Sequence, residues 1–270
     1  MAIRSGITRG FDLSYPSNRF ILAATPAAGV VSGMVTLLAG DGWGTAVRNG
    51  FGAGGLAFVS WALTRELHPD RVALATVAAI VAPFALLVSE PDLLASATVM
   101  IVARVLAGTT GRSIHWFDVA LIVVVAAPVA WRPTGPGVLG ASAVALAGVI
   151  LLQDRRRSRL AVASGSLAVL AGFAWWRVDF AVDVETWMVA VVVFAALAVV
   201  GPRRVAVGTD RPGGTVSPRR VQAARGFALI AAAAAATTTD PAAMAPVWVA
   251  LAVIGAEYSQ SAMRNALKRA

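Results

Sequence analysis

Two short stretches concentrate the side chains suited to binding an anion. The first reads Arg65-Glu66-Leu67-His68-Pro69-Asp70-Arg71. The second runs from Arg104 through Thr109-Thr110-Gly111-Arg112 to His115 and Asp118. Together they hold both histidines of the chain, four arginines and three carboxylates. A guanidinium offers paired N–H donors that match a carboxylate or a phosphate. A small Thr-Thr-Gly turn ahead of a helix adds backbone N–H donors. The predicted substrate-binding set is Arg65, Glu66, Asp70, Arg71, Arg104, Thr109, Thr110, Arg112 and Asp118, taking an anion or a phosphorylated head group. The competing reading of these residues is a set of structural ion pairs that ties two loops together. Arg104 and Asp118 weigh most, because each falls at the border of an apolar segment. A charge at such a border faces a partner or a wet cavity.

Other chemistry is short of residues. The 270-residue chain has no cysteine, two histidines and one lysine, Lys268. Thiol nucleophiles and thiolate-held metals are excluded. A multi-histidine metal cage is unavailable, and His68 with His115 as a haem pair lacks any supporting pattern. No metal site and no cofactor are expected. The net charge of +9 does not indicate nucleic acid, because the arginines are spread over short loops between apolar runs. Contacts of these arginines with anionic lipid head groups fit better.

The elements that must position these residues are apolar. Hydrophobic residues make up 58% of the chain and charged residues only 14%, against about 25% charged in soluble domains. Mean hydropathy is +0.74. Apolar segments lie near 20–40, 43–64, 72–88, 93–106, 114–131, 138–152, 160–176, 186–200, 221–237 and 242–257. The expected fold class is all-α: a polytopic integral membrane helix bundle of about ten transmembrane helices. Sorted by loop, 20 of the 23 Lys and Arg residues fall on one set of alternate loops and three on the other. Cytoplasmic loops hold such an excess. Both termini are therefore expected in the cytoplasm, in a plasma (inner) membrane. Residues 1–19 form a polar cytoplasmic segment rather than a secretory signal, residues 20–257 the bundle, and residues 258–270 a basic cytoplasmic tail. The Arg-over-Lys and Ala/Val/Gly bias matches a bacterial coding habit. Trp43, Trp131, Trp175, Trp176 and Trp187 fall at one set of segment ends, and Trp61 and Trp116 near the other, as interfacial belts require.

Gly50, Gly52 and Gly55 satisfy a G-x-G-x-x-G spacing, but no strand precedes them, so a dinucleotide fingerprint is not expected. Gly50 and Gly54 also fit G-x-x-x-G, which lets two helix backbones approach in lipid. A break in this helix would instead make Arg48 and Asn49 polar handles on a substrate path, with Glu257 a further candidate. Gly40–Gly52 resembles the Gly-Asp-Gly and Phe-Gly motif of membrane polyprenol and phytol kinases. The basic segment that should follow is missing, and the stretch lies on the arginine-poor side. Ten spans with both ends inside resemble the drug/metabolite transporter architecture in span count alone.

Three function classes follow. The first is a small-molecule or lipid permease or translocator, with the Arg/carboxylate set at its cytoplasmic mouth. The second is a non-catalytic membrane subunit or assembly factor, with a homo-oligomer or a membrane complex as partner. The third is a membrane-embedded lipid head-group transferase, with Asp70 or Asp118 holding a divalent cation. The paired intramembrane carboxylates that transferase chemistry needs are lacking, so an enzyme is the least expected of the three.

Overall fold

Proline and short polar side chains set many of the helix boundaries. The computed structural model describes residues 5, 7, 12–152, 157–177, 186–200, 205–209 and 213–268. Among them are α1 (Pro16–Leu38), α2 (Trp43–Leu67), α3 (Val72–Val81), α4 (Leu93–Ala107), α5 (Trp116–Ala126), α6 (Gly135–Leu152), α7 (Arg157–Arg177), α8 (Thr186–Val200), α9 (Pro218–Ala235) and α10 (Ala245–Leu267). No strand occurs among the described residues; Gly208 and Thr215 form a lone antiparallel bridge. Pro16 and Pro218 open α1 and α9 at the first turn, where a missing N–H leaves no helix bond unmade. Asp92 caps α4 by accepting from the Ala95 N–H at 3.1 Å. Asp240 does the same ahead of α10, accepting from the Ala242 N–H at 2.9 Å.

Two apolar segments turn out to be composite. Residues 72–88 form α3 followed by a 3₁₀ turn, Ala82–Leu87, and residues 114–131 form α5 followed by Ala127–Trp131. Each 3₁₀ turn carries a proline in its first two positions, Pro83 and Pro128. A proline ring inside an α-helix removes one backbone bond and clashes with the preceding turn, so the helix tightens there. At the C-terminus α10 runs unbroken to Leu267, so the basic tail continues the last helix.

Among the described residues, three helices are long and apolar enough to cross a membrane: Pro16–Leu38, Ser158–Arg177 and Pro241–Leu267. Shorter apolar helices cover Val72–Leu87, Leu93–Ala107, Trp116–Trp131 and Gly135–Ile150. Large apolar side chains are exposed along α1 (Val30, Val31, Met34, Leu38) and on other helices (Phe84, Val124, Val169). An all-helical chain with such a surface is compatible with a membrane location. Trp43, Trp116, Trp131, Trp175 and Trp176 are exposed, whereas Trp61 and Trp248 are buried. The side chain of Trp187 lies outside those described.

Two apolar clusters make the core. The larger joins α4 to α10, with Val99, Ile122, Leu139, Leu146, Phe227 and Leu251 among its members. The smaller joins α1, α2 and α3 through Ile21, Ala57, Trp61, Ala62, Ala75 and Ala79. Met100 on α4 packs against both. Glycines draw α1 onto α2. A Cβ added at Gly50 would stand 2.9 Å from the Gly29 carbonyl oxygen, and one at Gly54 would stand 2.9 Å from the Thr25 oxygen. This is the close backbone approach that the G-x-x-x-G spacing predicts.

Candidate functional site

A cavity of about 690 Å³ lies where the two clusters meet. The C-terminal ends of α2 and α4, the start of α1 and the α8–α9 loop surround it. Glu66 is at its centre and fully buried. It sits in the last turn of α2, where leaving a carboxylate unpaired is costly. Arg104, in the last turn of α4, donates from Nε to Glu66 Oε1 at 2.8 Å. The Thr109 hydroxyl donates to Oε2. Arg104 spends a second N–H on the Ile7 carbonyl at 2.7 Å. The chain reaches Thr109 by a left-handed turn at Gly108, φ 65°. That backbone conformation favours glycine, and a Cβ there would stand 2.6 Å from the Arg220 guanidinium.

Six of the nine sequence-predicted residues line this cavity: Arg65, Glu66, Arg104, Thr109, Thr110 and Arg112. Arg65 lies over the Trp61 ring at 5.0 Å and donates to Asn18 Oδ1 at 2.8 Å. Trp61 in turn donates to the Ser17 hydroxyl at 3.0 Å. Arg112 follows Gly111, a second left-handed glycine at φ 63°, and its side chain is exposed. Thr110 is buried, and its hydroxyl lies 3.4 Å from the Arg112 N–H.

Two more predicted residues hold the walls. Asp118 is fully buried, accepts from the Ser5 hydroxyl, and caps α5 by accepting from the His115 N–H at 2.8 Å. It therefore fixes the N-terminal stretch that brings Ile7 to the cavity. Asp70 accepts from the Ala206 N–H at 3.1 Å and the Val207 N–H at 3.0 Å. That pins the segment in which Val207, Gly208 and Thr209 line the cavity. Arg71 stands apart and pairs with Glu257 at 3.5 Å.

The residues suggested for a path are not joined to the cavity. Arg48 makes an exposed pair with Glu90 at 3.2 Å. Asn49 donates to the Thr36 hydroxyl at 3.1 Å within the α1–α2 contact. Glu257 belongs to the Arg71 pair. No three His, Asp or Glu side chains among the described residues converge to hold a metal ion.

Several contributors carried weak sequence signals. Asp12, Tyr15 and Asn18 come from the polar N-terminal stretch. The Trp61–Arg65 pair has an i, i+4 spacing, which places the two side chains on one helix face. Arg220 and Arg225 on α9 answer the unpaired carbonyls at other helix ends. Arg220 donates to the Leu106 and Val105 oxygens, both at 2.7 Å, closing α4. Arg225, only 3% exposed, donates to Leu67 at 2.7 Å and Ala198 at 3.3 Å. It also faces the Tyr258 ring at 5.4 Å.

Charge around the cavity follows from these contacts. Three arginines line it against two carboxylates, Glu66 and Asp12. Glu66 is bound by Arg104 and Thr109. Asp12 is held below the usual carboxylate range by the N–H and hydroxyl of Ser14. Beside the cavity, His68 is buried and its Nδ1 has no partner among the described residues. Burial, and then the Arg225 charge, push its pKa down, so it is neutral at physiological pH. Besides the Glu66–Arg104 ion pair, the lining presents the cations Arg65 and Arg112. No family model matches the chain, and neither a curated protein nor a solved structure is similar to it.

Proposed function

We propose that this chain is a multi-pass plasma-membrane protein of about ten spans, with both termini and its basic end in the cytoplasm, and that it is a permease or translocator for an anionic small molecule or lipid. The carrying observation is the cavity of about 690 Å³ lined by Arg65, Arg104 and Arg112. Its volume is that of small-molecule sites, about 300–1,000 Å³. The orientation is supported by the 20-to-3 division of Lys and Arg between alternate loops. Hydrogen bonds and an ion pair of the arginines and carboxylates tie the ends of α2, α4 and α8 to α1 and α9, the start of α3 to the middle of α10, and the N-terminal stretch to the start of α5.

Two measurements test this. Accessibility tags at Gly213 and Asp240 should report opposite faces of the bilayer, and the same face for both refutes the orientation. Purified protein in vesicles should speed the transbilayer movement of an anionic solute or a fluorescent anionic phospholipid. Arg65→Gln with Arg112→Gln should abolish that movement without changing the amount of folded protein. No movement, together with recovery in a fixed ratio with another membrane protein, would favour the subunit reading. Head-group transfer in detergent would favour the transferase reading.

A further inference from the structure

The cavity is not uniform, and the way its character changes along α2 narrows the ligand. At one end stand Arg65 and Arg112. The Arg112 guanidinium has no protein partner among the described residues and reaches the opening. Moving up α2, the lining changes to Ala62 and Phe58, joined by Met100 on α4 and Leu121 on α5. Phe58 precedes Arg65 by seven residues, a rise of about 10 Å along the helix. Phe58, Met100 and Leu121 are each only partly buried. The reason lies in the packing. α1 rests mainly on α2 and α3, and α5 rests mainly on α4 and α7. The cavity wall on α2, α4 and α5 is therefore apolar and partly exposed at Phe58, Met100 and Leu121, and its other end is basic.

We propose that this cavity takes an anionic lipid, with a phosphate-type head group on Arg65 and Arg112 and its hydrocarbon chain in the groove between α1 and α5. The proposal rests on the reading of the cavity as an anion site at the cytoplasmic border of the membrane. In that frame the basic end lies at head-group level and Phe58, Met100 and Leu121 at acyl-chain level. A guanidinium suits a phosphate by charge and by paired donors. A choline head group is disfavoured: it brings a cation to two arginines, and Arg65 already covers the Trp61 face that would hold it. The chain in the groove gains little over bulk lipid, because both surroundings are apolar. Affinity therefore resides in the head, and the groove selects ligands that bear a chain at the right depth.

The full chain in detergent should be titrated with dioctanoyl phosphatidic acid, dioctanoyl phosphatidylcholine and inorganic phosphate. Phosphatidic acid should bind at least about tenfold tighter than either of the others. Arg65→Gln with Arg112→Gln should erase that preference. Met100→Trp and Leu121→Trp, which fill the groove, should each weaken phosphatidic acid by about tenfold and leave inorganic phosphate unchanged. Two such variants are named so that one survives if the other fails to fold, as judged by elution profile and melting. Equal binding of phosphate and phosphatidic acid, unaffected by either tryptophan, overturns the lipid proposal but leaves the anion site standing. Equal binding of phosphatidylcholine overturns the role given to the arginines. Binding of none of the three removes the lipid and the anion site together.

Discussion

The two halves of the α1–α2 pair are built on opposite principles. In the half near the α1–α2 turn, glycine meets backbone: Gly29 faces Gly50, Gly33 faces Ala46, and Gly54 faces Thr25. Charges there are exposed: Asp41 lies in the turn itself, and Arg48 and Glu90 are 66% and 82% exposed. In the other half, large and polar side chains hold the helices: Trp61 bonds Ser17, and Arg65 bonds Asn18. A charge is buried there: Glu66 is 0% exposed, and its partner Arg104 on α4 is 14% exposed. One half is sensitive to volume and the other to charge. The cavity lies in the second half, because bulky side chains leave room beside them and tight glycine contacts do not.

Perturbing each half in the other's currency tests this contrast. The largest effect is expected from Glu66→Ala, which leaves Arg104 and Thr109 without their acceptor. Losing one partner of a buried pair costs about 3–5 kcal/mol. Glu90→Ala, at the exposed pair, should change stability by less than about 1 kcal/mol. Unfolding in mixed detergent would measure both, and equal losses would erase the distinction.

Next comes Gly50→Leu, whose side chain would be driven into the Gly29 backbone. Overpacking of this kind costs about 1–3 kcal/mol. Gly44→Leu is the control, since a Cβ there meets nothing within 4 Å. Matching melting temperatures for the two variants would refute glycine-driven packing.

Asp70→Asn should follow. It weakens charge-assisted bonds to the Ala206 and Val207 N–H groups and should lower stability by about 1 kcal/mol. A more specific readout is faster protease cleavage near Val207 with α1–α10 otherwise intact. Unchanged cleavage would show that the segment is held by other contacts.

The smallest effect concerns pH. His68 binds a proton less readily in the folded chain than its ordinary pKa of 6.5 implies. Its contribution is complete above that pH. It shrinks as acid protonates the unfolded chain in preference to the folded one. Melting temperature should thus fall between about pH 6.5 and 5. His68→Gln should flatten that part of the profile; an unaltered slope would assign the acid sensitivity elsewhere.

Much of the helical layout was legible in the letters. The proline and aspartate signals at Asp92, Asp240 and Pro218 act through neighbouring backbone, so they can be read locally. The 3₁₀ turns at Pro83 and Pro128 follow the same local logic but were hidden inside apolar runs. The site was legible in part. Arg65, Glu66, Arg104, Thr109, Thr110 and Arg112 stand in two dense polar stretches of sequence at the ends of α2 and α4, and the structure lines one cavity with all six. The roles of Asp70, Asp118, Arg220 and Arg225 were hidden, because these partners lie 113 to 158 residues away in the chain.

Composition and spacing alone determined that this chain is helical, carries long apolar helices, and gathers its polar side chains in two short stretches, around the α2–α3 and α4–α5 junctions. Those properties depend on near neighbours along the chain. Only the tertiary structure decided which arginine stays open to a ligand and which is consumed in closing a helix end. A guanidinium's availability depends on the carbonyls and carboxylates that folding brings within about 3 Å of it.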